Sequence, residues 1–192
     1  MFDESTALIV VDMQNDFASP DGSLFVTGGD ALLDRLNDQI EAADAAGAFV
    51  VYTQDWHPEQ TPHFVTSGGV WPVHCVRDTW GAELCDDLLV RGPIVRKGTG
   101  GEDGYSGFTM RDPETGETIP TELDELLVER GIARVVVVGL ALDVCVKATA
   151  IDALTNGYDV IVPAESSAAV NLEPENGALA ITELLELGAL VV

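Results

Sequence analysis

Short β-branched apolar runs alternate along this chain with stretches that carry one apolar helical face, and that alternation constrains the fold more than any other feature. Ala7 to Val11 and Arg134 to Gly139 are almost continuously apolar, the pattern of strands covered on both faces. Ala48 to Gln54, Ile94 to Lys97, Asp159 to Val162 and Ala189 to Val192 complete a set of six. Between them, Asp30 to Ala46 places Leu32, Leu33, Leu36, Ile40 and Ala43 on one face before a stop at Gly47. Thr121-Glu122-Leu123-Asp124 resembles a capping box and opens a helix ending at Gly131. Lys147 to Leu154 is rich in helix formers, and Ile181, Leu184 and Leu185 mark a last helix. Strands interleaved in this way predict an α/β fold: a doubly wound, Rossmann-like, six-stranded parallel sheet with helices on both faces. At 192 residues, the expectation is a single domain over residues 1–192.

Ligands of such sheets bind outside the C-terminal strand ends. Asp12, Asp55, Lys97 and Cys145 all fall there, each just after or at the end of a different strand. Cys145 stands where a strand hands over to a helix, so its thiol is expected to meet free backbone N–H groups and the positive end of the helix dipole. Both favour a thiolate nucleophile; the alternative is an inert core cysteine. Asp12 is either a turn former or a general base and acid. Lys97, one of only two lysines, sits at a buried strand end where an ammonium requires an anionic partner.

Asp55-Trp56-His57 is followed by His63 and His74, so every histidine of the chain falls in one segment beside one aspartate. That donor set suits a divalent ion, zinc first and iron or manganese as alternatives; solvated loop histidines are the simpler reading. Phe17, Trp71 and Tyr105 lie in loops at the same edge and could sandwich a flat ring, or simply pack the core. Asp55 to Gly81 and Gly98 to Pro120 are of a length usually kept for function. The second is rich in glycine and suits either a lid or a surface excursion.

Thirty-three acids against nine bases give a formal charge of −24. Nucleic acid and anionic membrane are excluded as partners, because both would be repelled. The acids are spread over the whole chain, which points to a solvated surface adapted to salt. No apolar run approaches the ~20 residues of a membrane span, and the acidic start lacks the basic region of a signal peptide. Cys75, Cys85 and Cys145 cannot all pair within one chain, which argues for a reducing cytoplasm.

Val10-Val11-Asp12-Met13-Gln14-Asn15-Asp16-Phe17, Asp55-Trp56-His57-Pro58, Trp71-Pro72-Val73-His74-Cys75, Lys97-Gly98, Tyr105-Ser106-Gly107-Phe108 and Gly139 through Val146 together resemble the nicotinamidase/pyrazinamidase family of isochorismatase-like cysteine hydrolases. The resemblance runs from the first strand to at least Pro163. It implies an isochorismatase-like fold and a Cys145–Asp12–Lys97 amidase acting on nicotinamide in NAD salvage. Backbone N–H groups of Ala141 and Cys145 would form the oxyanion hole, with a cis peptide before Ala141. Asp55, His57, His63 and His74 would hold the metal, and Phe17, Trp71 and Tyr105 would line the ring. Leu142 departs from the family's usual threonine, and residues 112–118 are longer than the family's loop, suggesting a hairpin. Two other readings stay open: an amidase of the same superfamily acting on a carbamoyl or ureido substrate, and a non-catalytic metal- or ligand-binding protein. A small-molecule substrate is expected, and a homo-oligomer is compatible with the sequence.

The charge itself generates a test. Screening shortens to ~3 Å in molar salt, so the melting temperature should rise between low salt and molar KCl; a flat profile would remove the case for salt adaptation.

Overall fold

The computed structural model describes residues 1–192, and its first strand, β1 (Thr6–Val11), is buried at every position. Around it the chain lays down β2 (Phe49–Asp55), β3 (Ile94–Lys97), a hairpin of β4 (Thr109–Arg111) and β5 (Thr118–Pro120), then β6 (Arg134–Leu140), β7 (Asp159–Val162), β8 (Ser167–Ala168) and β9 (Leu190–Val191). The helices are α1 (Asn15–Ala18), α2 (Leu33–Ala45), α3 (Leu123–Glu129), α4 (Lys147–Thr155) and α5 (Asn176–Leu187). The main sheet runs β3-β2-β1-β6-β7-β9, with every pair parallel, and β8 adds two residues beside the end of β6. The six expected strands are all present in one doubly wound sheet.

Alternate residues of the strands feed two cores. Ala7, Ile9, Val11, Val135 and Val137 face α3, α4 and α5, where Leu127, Ala150 and Leu184 are buried against them. Leu8, Val10, Val136 and Val138 face α2 through Leu36, Ile40 and Ala43. A strand apolar on both sides is therefore what the central positions require.

The differences from expectation are local. Asp30 to Leu32 form a 3-10 turn before α2, so the regular helix starts three residues late. The segment at 112–118 is indeed the tip of a hairpin, β4–β5. The two-residue β8 carries no apolar run of its own; it exists because Ser167 and Ala168 reach Gly139 and Leu140. Gly139 has φ +110°, and a Cβ there would strike the backbone of Val11. A residue without a side chain lets the end of β6 pass that close to β1.

The chain reverses its winding between β1 and β6, and a cleft opens outside their C-terminal ends. No helix is long and apolar enough to cross a membrane.

Two substitutions separate core from surface. Ile40→Ala, at a fully buried site under the sheet, should cost about 2–5 kcal/mol in denaturant unfolding. Leu185→Ala on the exposed face of α5 should stay within about 0.5 kcal/mol.

Candidate active site

Parallel pairing places Asp55 directly opposite Lys97 at the ends of β2 and β3. The Lys97 ammonium is fully buried and donates to Asp12 Oδ2 at 2.7 Å, to Asp55 Oδ1 at 2.5 Å and to the Gly104 carbonyl. Burial works against its charge, yet the two carboxylates hold its pKa well above the ordinary lysine value. Asp12 follows β1 in a left-handed conformation, φ +48°, which a short polar side chain tolerates. Its other oxygen accepts the Thr53 hydroxyl at 2.6 Å. Burial pushes the Asp12 carboxyl up to about 6, against the pull of Lys97.

Cys145 lies 3.8 Å from Lys97 Nζ, and its sulfur stands within 4.8 Å of carboxylate oxygens of Asp12 and Asp55. Here the structure corrects the sequence reading. The thiol belongs to a π-helical turn, Leu142–Val146, that precedes α4, and it is buried. Burial pushes its pKa well above the ordinary thiol value; Lys97 pulls the other way, and Asp12 adds to the rise. Cys145 therefore rests as a thiol, and any attack by its sulfur needs a base to take the proton.

Across the cleft, His57, His63 and His74 offer ring nitrogens within 4.8 Å of one another. His74 Nδ1 donates to the Pro72 carbonyl at 2.7 Å, and His63 Nδ1 pairs with Asp103 Oδ1 at 2.6 Å. Both contacts leave Nε2 as the lone-pair nitrogen facing inward. Burial lowers His74 to about 4 and lowers His63 as well, so both rings are neutral at pH 7, the form that binds a cation. Both nitrogens of the buried His57 ring lack any protein partner. Asp55 Oδ2 lies 3.6 Å from His57 Nε2 and 3.9 Å from His74 Nε2. Ligand atoms on a zinc-sized ion stand no farther apart than about 4.2 Å, twice the bond length, and both separations fall inside that limit. Burial opposes the charge on Asp55, but Lys97 and the neighbouring imidazoles hold it far below the usual carboxylate range. An anionic oxygen and three imidazoles, one of them orphaned, fit a divalent metal. Gly98 (φ +70°) leaves room for the His57 ring, which a Cβ there would strike.

The thiol lines one cavity together with Asp55 and two of the imidazoles, His63 and His74. Phe17, Trp71 and Tyr105 line it, with Trp71 Nε1 donating to the Tyr105 hydroxyl at 2.9 Å. Ala141 lines it too; the Leu140–Ala141 peptide is cis, and the Ala141 N–H donates to no backbone carbonyl. The structure thus gathers every residue singled out above. Leu142 is buried in the core instead of lining the cavity, so the missing threonine hydroxyl changes nothing at the wall. Sequence reasoning missed the apolar wall of Leu24, Val26 and Val170, whose loops carry no chemical signal, and of Val144 in the turn beside Cys145. It missed Asp103 behind His63 as well, although an acid in the Gly98–Pro120 loop was there to be weighed. That loop is pinned: Thr61 Oγ1 donates to the Gly101 carbonyl at 2.7 Å, and the Gly107 N–H donates to Thr149 at 2.9 Å.

A doubly wound sheet with a thiol, an acid and an amine at its switch point defines an α/β cysteine-hydrolase scaffold. A sequence model of the isochorismatase domain matches residues 6–192, and the chain belongs to that family. It is 36% identical to the nicotinamidase of Escherichia coli strain K12 over 95% of this chain and 92% of that one. The crystal structure of Pyrococcus horikoshii pyrazinamidase in complex with zinc superposes with a TM-score of 0.87 at 39% identity, covering 98% of each chain. PnC1 from L. infantum in complex with nicotinate gives 0.89 at 38% identity, covering all of this chain and 94% of that one.

Lys97→Met should cost about 3–5 kcal/mol in unfolding, since it leaves two buried carboxylates uncompensated. A loss below about 1 kcal/mol would show that the cluster does not depend on the ammonium.

Proposed function

We propose that this chain is a metal-dependent amidohydrolase that converts nicotinamide to nicotinate and ammonia through a cysteine thioester, and that it also accepts pyrazinamide. One observation carries the reading: a thiol with a buried carboxylate and ammonium beside it shares one cavity with an aspartate and with two imidazoles of a three-histidine cluster.

Asp12 takes the Cys145 proton as Sγ attacks the carboxamide carbon. Lys97, 2.7 Å from Asp12, stabilises the carboxylate before transfer and the developing sulfur charge beside it. Negative charge on the amide oxygen is received by the N–H groups of Ala141 and Cys145, a contribution of about 3 kcal/mol per donor. Asp12 then gives the proton to the departing amine, and ammonia leaves a thioester. Water attacks the thioester carbon, Asp12 accepts its proton, and nicotinate departs as the thiol re-forms. Asp55, His57, His63 and His74 would hold the divalent ion, zinc first, which when bound supplies a Lewis acid for the pyridine nitrogen. Phe17, Trp71 and Tyr105 contact the faces and edge of the ring. Held at both ends, the amide meets Sγ in a fixed orientation, which lowers the entropic part of the barrier.

The carbamoyl or ureido alternative is disfavoured by the cavity. Such an acid brings a carboxylate, whereas Lys97 is already neutralised by two carboxylates and the remaining wall is largely apolar. A storage protein has no use for a buried amine beside a thiol. We further infer that the chain acts as one domain over residues 1–192, in the cytoplasm of a salt-adapted cell, supplying nicotinate to NAD salvage. All three cysteines are free, and acids outnumber bases 33 to 9, in keeping with that setting.

Ammonia release from nicotinamide, measured in high salt, tests the assignment. Cys145→Ala should lower turnover by roughly 10⁴-fold or more, and His57→Ala should lose bound metal and raise KM. Undiminished turnover in the cysteine variant would end the proposal.

A further inference from the structure

Asp16 is an acid on α1 that the reaction above does not use, yet only 8% of its surface is exposed. It forms no ion pair; instead each carboxylate oxygen receives one backbone N–H. Oδ2 accepts from Cys75 at 2.7 Å and Oδ1 from Ser23 at 2.9 Å. Both donors belong to segments that wall the cavity, one bearing Trp71 and His74, the other Leu24 and Val26. The Asp16 carbonyl accepts the Leu24 N–H at 3.1 Å, a second tie to the same wall.

Cys75 is held in a left-handed conformation, φ +44°. For a residue with a Cβ that conformation costs about 1–2 kcal/mol, so it requires a compensating contact. The same residue reaches back to another imidazole: its carbonyl accepts the His57 N–H at 3.0 Å. One backbone unit therefore connects Asp16 on its N–H side with His57 on its carbonyl side, and follows His74 directly. Gly81 completes the arrangement, packed so closely that a Cβ would collide with the Asp16 carboxylate.

We propose that Asp16 is a positioning residue of the metal site: by anchoring the left-handed Cys75 it sets His57 and His74 at their binding distance, and through Ser23 it holds the apolar wall against the ring. The inference rests on His57 and His74 being metal ligands. A carboxyl group can accept one N–H at each oxygen, which explains why an acid occupies this place with no cation beside it. Asparagine there keeps one acceptor and turns an amide N–H₂ toward the other donor, so one of the two ties is lost.

Zinc affinity, measured by competition with a chromophoric chelator, separates this role from a merely structural one when paired with melting of the metal-free protein. Asp16→Asn should bind zinc at least tenfold more weakly than the parent, while KM for nicotinamide rises more than kcat falls. Gly81→Ala keeps the Asp16 side chain but displaces its carboxyl group, and should shift zinc affinity in the same direction. It carries the test alone should Asp16→Asn fail to fold. Parental zinc affinity in the folded variants, with or without a lower melting temperature, would overturn the inference. A parent chain that binds no zinc would instead overturn the ligand assignment beneath it.

Discussion

A single buried ammonium organises this molecule. Lys97 has no water to solvate it, and an isolated charge in that position would be expensive enough to be discarded or neutralised. It is retained because β2 and β1 deliver two carboxylates and the Gly98–Pro120 loop delivers a carbonyl. Each of those groups is then fixed by the cation. Two carboxylates against one ammonium leave excess negative charge in the cluster, and burial together with the charge of Asp55 lifts Asp12 to about 6. A carboxyl near that value can both accept and return a proton at neutral pH. Asp55 spends its second oxygen on the imidazole side, so one residue belongs to both halves of the site.

The sheet was legible because its central strands are buried on both faces and therefore spell themselves in valine, isoleucine and leucine. Asp12, Asp55, Lys97 and Cys145 could be placed on one edge from strand ends alone, since parallel strands share a direction. Register did the remaining work, and it is not encoded in any local pattern: only pairing reveals that Asp55 and Lys97 are direct neighbours. Leu24, Val26 and Val170 were silent for the opposite reason. They are ordinary apolar residues in irregular segments, and their proximity to the site arises from backbone hydrogen bonds to Asp16 and to Asp143. β8 likewise exists through its partner rather than through its own residues.

Misreading the thiol teaches more than the successes. A helix start favours thiolate when water and dipole are the main surroundings, and the sequence shows nothing else. In the fold, burial raises the thiol pKa against the pull of Lys97, and Asp12 and Asp55 add to the rise, so the sulfur keeps its proton. On the proposed mechanism, reactivity is then a property of the proton path rather than of the resting charge: the nucleophile would form only as Asp12 accepts the proton. Such a thiol is protected from adventitious oxidants, whose attack depends on thiolate character and exposure.

On the proposed reaction, substrate and product differ in charge, and the protein's own charge treats them differently. Nicotinamide is neutral and gains nothing from the surface field of a −24 chain. At molar salt that field reaches only ~3 Å, so it cannot steer or repel across the cleft. Asp12 and Asp55 lie in the interior, where salt has little access and their charges are hardly screened. A newly formed carboxylate beside them meets like charge that the amide did not. Lys97 cannot attract it, because its three donors are already taken by Asp12, Asp55 and Gly104. The arrangement that holds the proton carrier in place therefore also disfavours retention of the anion it produces, and release follows from the same buried triad as the chemistry.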